Sequence, residues 1–129
     1  MTALLRLIDE TPGATPVEVG TLRLASERVT VREVIRRRLE DEVEKINSVG
    51  SLPYTGLIQP LAREQELNSD RRTVQVDFDE QYRVACDAFS RNGILALFDG
   101  RQLTDLDEHL VLTGDDTITF IKLVPLRGG

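Results

Sequence analysis

A single cysteine, Cys86, leaves no partner for an internal disulfide and too few thiolates for a cysteine-based zinc site. Long apolar runs are missing as well: no stretch approaches the ~20 residues that a membrane helix needs. The opening Met1-Thr2-Ala3-Leu4-Leu5-Arg6 lacks a basic segment followed by an apolar run, so no signal peptide is expected there. The expected location is therefore the cytoplasm. Lysine is scarce, with Lys45 and Lys122 standing against fourteen arginines. High genomic GC content produces such a bias without any functional cause. The one histidine, His109, lies in a predicted Leu106–Leu110 turn and reads as a surface residue, not a ligand or base.

Of the 129 residues, 40% are hydrophobic and 29% charged, which is the composition of an ordinary globular chain. A chain of this length buries roughly two-thirds of its unfolded surface, which suits one domain. The formal charge of −6 argues against a general nucleic-acid binder, whose affinity comes from neutralising phosphates. Arg28, Arg32, Arg36, Arg37 and Arg38 are interleaved with Glu33, Glu40 and Asp41, so they read as a solvated helix face. Nothing in the pattern calls for a metal or a cofactor.

Leu4–Ile8 reads as a strand that ends at the turn cluster Asp9-Glu10-Thr11-Pro12-Gly13. Val17 and Val19 alternate, then Leu22 and Leu24 alternate on the opposite parity. The slip at Gly20 predicts a bulge or a strand that starts there. Thr30-Val31-Arg32-Glu33 is a capping-box signature. The apolar spacing Val31, Val34, Ile35, Leu39, Val43, Ile46 predicts a helix to about Ile46, stopped by Asn47–Pro53. Arg37 with Asp41, and Asp41 with Lys45, are predicted ion pairs on its outer side.

From Ser48 to about Arg72, Pro53, Gly56 and Pro60 punctuate a segment that reads as an ordered loop anchored by Leu57, Ile58 and Leu61. Thr73–Phe78 alternates like a strand. Asp77–Glu80 offers a second cap, and Phe78, Tyr82, Ala85, Cys86 and Phe89 mark one face of a second helix ending before Asn92-Gly93. On that stripe Cys86 reads as a small core residue. Ile94–Phe98 is a strand, Asp99-Gly100 a tight turn, and Thr117–Val124 a final strand with Ile118 and Phe120 on one face. Leu97 and Ile121 fall on the opposite face and are predicted to be exposed.

The sequence closes on Pro125-Leu126-Arg127-Gly128-Gly129. Pro125 has no backbone donor and is expected to turn the tail out of the sheet. Glycines lack a Cβ, so a partner can close tightly around the main chain there. That suits a carboxylate threaded into an adenylating enzyme.

The stretch Leu95-Ala96-Leu97-Phe98-Asp99-Gly100-Arg101-Gln102-Leu103, an acidic turn, then Thr117-Ile118-Thr119-Phe120-Ile121 and Leu126-Arg127-Gly128-Gly129 resembles the C-terminal half of ubiquitin. The opening hairpin and the Thr-capped helix follow the same order. The likeness is loose over residues 1–47 and close over 94–129, and it leaves 48–93 without a counterpart. The whole is similar to the ubiquitin-like proteins of bacterial operons that encode their own activating, conjugating and deconjugating enzymes, antiphage systems among them.

The resemblance implies an α+β, ubiquitin-like β-grasp domain over residues 1–124. An insertion at about 48–93 would carry the second helix, and 125–129 would be a flexible conjugation tail. It further implies a non-enzymatic modifier. Gly129, with Gly128 beside it, would be the conjugated terminus, and Arg127, Leu126 and Pro125 would be read by the activating enzyme. Leu97 and Ile121 would form a partner-binding surface, and Lys45 would be the better-placed acceptor. The implied partners are an adenylating enzyme, a conjugating enzyme, a deconjugating protease and target proteins, with no nucleic acid and no membrane. Pro125 stands where ubiquitin has an arginine, and Arg101 where ubiquitin has its best-known chain-forming lysine. Two alternatives share the features of the tail: a sulfur carrier ending in a thiocarboxylate, and a passive β-grasp interaction domain.

Overall fold

The computed structural model describes residues 2–49, 57 and 76–123. The elements in chain order are strands β1 (Ala3–Glu10), β2 (Val17–Leu24) and β3 (Arg28–Thr30), then helices α1 (Val31–Val49) and α2 (Phe78–Ser90). Strands β4 (Ile94–Phe98), β5 (Arg101–Leu103), β6 (His109–Val111) and β7 (Asp116–Lys122) complete them. Five strands form one mixed sheet in the order β2-β1-β7-β4-β5, and β3 and β6 form a separate pair. The first and last strands, β1 and β7, lie parallel at the centre; the other pairs are antiparallel.

Alternation decides which face of the sheet is dry. Ala3, Leu5 and Leu7 of β1, Ile118 and Phe120 of β7, and Ala96 and Phe98 of β4 share the buried face. Val31, Val34, Ile35 and Leu39 of α1, with Ala85 and Phe89 of α2, join the same buried cluster. Leu39 is fully buried. Leu39→Ala is expected to cost about 2–4 kcal/mol, from lost burial plus the cavity left behind, read from urea unfolding.

Local chemistry sets the turns and caps. Thr11–Ala14 closes with the Ala14 amide donating to Thr11 O at 3.0 Å, and Gly13 has φ 83° after Pro12. That is a type II turn with each residue where its backbone suits. The Gly20 slip is a bulge: Leu7 pairs with Gly20 and Ile8 with Glu18, leaving Val19 over. Asp99 and Gly100 both have positive φ between the paired Phe98 and Arg101, the two-residue hairpin their sequence asks for.

Thr30 Oγ1 accepts from the Glu33 amide at 3.1 Å and donates to the Glu33 carboxylate at 3.3 Å. The two helix amides before it, of Val31 and Arg32, donate to Glu108 O and Leu106 O. The 105–108 turn thus satisfies donors that a helix start leaves open. At the start of α2, Asp77 accepts from the Glu80 amide at 2.9 Å.

Several expectations change. β1 runs on through Asp9 and Glu10, because Asp9 is buried and its charge is met inside the protein. Helix α1 continues past Ile46 to Val49. The Asn47 side chain is spent on the Val76 amide and carbonyl, at 2.9 and 3.1 Å, instead of breaking its own helix. Val76 and Asp77 are not strand, and Phe78 begins α2; the rest of the expected Thr73–Phe78 strand lies outside the described residues. So does most of the 48–72 loop, apart from the last residues of α1 and Leu57, whose amide donates to Glu42 Oε1 at 2.9 Å. His109 opens β6 instead of sitting in a turn, and β7 ends at Lys122. Asp41 pairs with Arg37 at 2.5 Å, and no ion pair joins it to Lys45.

The five arginines are not one solvated face. Arg38 is 1% exposed and its guanidinium grips both oxygens of Asp9 at 2.6 Å. Its Nε donates to Glu42 at 2.7 Å, and it stacks 5.0 Å from the centre of the Phe120 ring. Burial lowers the pKa of this guanidinium, but the hydrogen bonds and charges of Asp9 and Glu42 outweigh it, leaving the group above its ordinary value.

Candidate functional site

The last strand brings the carboxy-terminal segment to the middle of the sheet. β7 pairs with β1 on one side and β4 on the other, and Ile118 and Phe120 are fully buried on its core face. Beyond Lys122, the Leu123 amide donates to Gly93 O at 3.0 Å, extending the ladder by one residue. Gly93 is itself fixed by the end of α2, its amide donating to Ala88 O at 2.7 Å after Asn92 at φ 64°. The root of the tail is therefore tied to the second helix. Pro125, Leu126, Arg127, Gly128 and Gly129 lie outside the described residues.

Leu97 and Ile121 do share the outer face, but they are half-buried where exposure was expected. They are not directly paired: Leu97 faces Thr119, and Ile121 lies between Glu10 and Leu95. Neighbours on both sides of two inner strands cover part of each side chain. The register adds Ile8, opposite Thr119, and Leu95, opposite Ile121, to the same surface. Both were legible as the outward partners of Leu7 and Ala96, yet the sequence reading singled out neither. Four half-buried aliphatics thus share the outer face of the three adjoining strands β1, β7 and β4.

Lys45 is exposed on α1, whereas Lys122 is half-buried in β7. Among the described residues no group of three or more histidine, cysteine, aspartate or glutamate side chains is arranged to hold a metal ion.

The seam between α1 and α2 holds a polar and aromatic cluster. Phe78 and Tyr82 stack with centroids 5.8 Å apart, and Arg36 lies 5.3 and 5.6 Å from the two rings. Arg36 also reaches Glu40 at 3.9 Å. Arg32 bonds Asp107 at 3.1 Å, and Asp107 and Tyr82 together raise its pKa. Cys86 is half-buried, not the core residue its stripe suggested; Gln81 is fully buried on α2 instead. Burial pushes the Cys86 thiol up, opposed more weakly by its hydrogen bond to Tyr82 and by the Arg32 charge. A raised pKa means less thiolate at any pH below it. Alkylation of Cys86 by iodoacetamide should be slower than that of a free thiol at pH 8. Its rate should keep rising with pH after the free thiol has levelled off.

The candidate site is thus the outer sheet face with the tail root beside it. Comparison with protein-family models, curated proteins and solved structures finds no match for the chain.

Proposed function

We propose that this chain is a ubiquitin-like modifier of the β-grasp class, conjugated through Gly129 in a bacterial ubiquitination-like pathway of the antiphage kind. The observation that carries the reading is the position of β7. The strand leading to Leu126-Arg127-Gly128-Gly129 lies at the centre of a mixed sheet packed on α1, so the tail starts from a fixed root. A mixed sheet around one long helix is also what the β-grasp expectation requires.

In this reading the chain is the acyl donor and its enzymes hold the catalytic groups. A carboxylate oxygen of Gly129 attacks the α-phosphate of ATP and pyrophosphate leaves, giving an acyl adenylate. An enzyme cysteine thiolate then attacks the carbonyl and AMP leaves, giving a thioester. A target amine attacks that carbonyl, the thiol departs, and an amide remains. Arg127, Leu126 and Pro125 are the recognition segment, and Lys45, exposed on α1, is the acceptor on the chain itself. A conjugating enzyme, a deconjugating protease and target proteins are the other proposed partners.

The test is incubation with the cognate activating enzyme and ATP. Pyrophosphate exchange, followed by a thiol-sensitive adduct on the enzyme, is the expected result. Sulfur replacing oxygen in the intact mass, without any adduct on target proteins, would turn the reading to a sulfur carrier. The outer face gives a further check. Leu97→Asp with Ile121→Asp should weaken thioester formation by about tenfold while leaving the far-ultraviolet dichroism unchanged. Thioester formation at the unaltered rate would make that face incidental.

A further inference from the structure

The five-stranded sheet ends in β2 on one side and β5 on the other. A sheet edge carries unpaired backbone donors and acceptors, and shortness, proline or lysine usually keeps it from pairing. β5 is three residues long and is protected by its length. β2 runs for eight residues, Val17–Leu24, with neither proline nor lysine among them. Among the described strands only β1 pairs with it. We infer that this open edge joins the β2 edge of a second copy of the chain, antiparallel and centred on Thr21, so that one sheet continues across a two-fold axis.

Charge complementarity carries the choice of partner. Glu18 and Arg23 are both exposed, and neither has an ion-pair partner among the described residues. They are an odd number of positions apart, so on a regular strand they would point to opposite faces. The Gly20 bulge corrects this. Glu18 pairs with Ile8 and Arg23 with Leu4, and Ile8 and Leu4 are an even number of positions apart on unbroken β1. Glu18 and Arg23 therefore share the outer face, with Thr21, opposite Arg6, between them. With the bulge counted as one position, the acid and the base stand equally far from Thr21. Antiparallel pairing about Thr21 then sets Glu18 of each copy opposite Arg23 of the other, twice over. Val17, 45% exposed, falls opposite Leu24 of the other copy. Registers centred on Glu18 or on Arg23 would instead oppose like charges, which is unfavourable. The same two side chains thus select both the partner and the register. The pairing uses neither β7 nor the surface of Leu97 and Ile121, and it does not depend on the modifier reading.

The test is sedimentation of the full chain from about 1 μM to about 1 mM, a range that brackets the Kd of a small interface. The unaltered chain should pass from monomer to dimer and no further. Glu18→Arg and Arg23→Glu each place like charges at both contacts, and each should raise the dimer Kd by about tenfold or more. An equimolar mixture of the two variants faces Arg with Glu at both contacts and should dimerise close to the unaltered affinity. The double change Glu18→Arg with Arg23→Glu in one chain should do the same. Both side chains are exposed, so far-ultraviolet dichroism should not change in any of these variants. A chain that stays monomeric throughout overturns the inference, and so does a dimer indifferent to both single changes. Loss of the dimer without rescue in the mixture or the double variant would remove the proposed register, and the inference with it.

Discussion

Arg38→Ala is expected to destabilise the fold by about 3–5 kcal/mol, because it leaves the buried Asp9 carboxylate without its partner. Both Asp9 oxygens are held by this one guanidinium, and Asp9 is 3% exposed. Truncation also opens space beside Phe120, which the guanidinium stacks upon. That is a large share of a small domain's margin of about 5–15 kcal/mol. Arg38→Lys keeps the charge but not the two-pronged geometry, so it should recover only part of the loss.

The double change Asp9→Leu with Arg38→Met separates an orphaned charge from a merely smaller side chain. It removes the two most buried ions and fills their volume with apolar atoms, while Glu42, 15% exposed, loses its bond to Arg38; the double change should therefore recover much of the Arg38→Ala loss without exceeding the unaltered protein. Urea unfolding of the three variants provides the comparison. If Arg38→Ala cost less than about 1 kcal/mol, the range of an exposed ion pair, the buried pair would not be joining helix to sheet.

On the proposed reading, loss of Gly129 should abolish activation rather than weaken it. Deleting it draws the terminal carboxylate back by one residue, up to about 3.6 Å along an extended chain. A misplacement of about 1 Å can cost on the order of a hundredfold in rate, and attack on the α-phosphate depends on alignment. Gly128→Val adds a branched side chain where an enzyme must close around bare backbone, and should fail for that reason. Phe120 is the last described member of the buried cluster, eight residues before Gly128, so melting curves are expected to superimpose on that of the unaltered chain. Full pyrophosphate exchange by the chain lacking Gly129 would refute the carboxylate chemistry.

What could be read from the sequence was what a few neighbouring residues decide. The Thr30 cap, the Asp99-Gly100 turn, the Gly20 bulge and the stripe of α1 are local events, fixed by side chains within four positions of one another. The Asp9–Arg38 pair was hidden because its members are far apart in sequence and each had a plausible local role. Asp9 sat beside Pro12-Gly13 and read as a turn; Arg38 sat among four other arginines and read as surface. The Asn47 clamp on Val76 was missed in the same way, since asparagine after a helical stripe ordinarily signals an end. Alternation placed Leu97 and Ile121 on the correct face, but exposure depends on neighbours across the ladder, which periodicity does not supply.

The parallel pairing of β1 with β7 has a consequence for biogenesis. The two strands come from opposite ends of the described chain, so their register forms only once the residues between them have left the ribosome. Such distant pairing must overcome loop-closure entropy before any contact repays it, which makes it a late event in folding. A truncated translation product would lack β7 and expose the unpaired edges of β1 and β4, a surface that invites aggregation and quality control. The segment that completes the sheet is also the one that runs into the tail. Among the described strands, the one that joins the two halves of the sheet is therefore the last to be made.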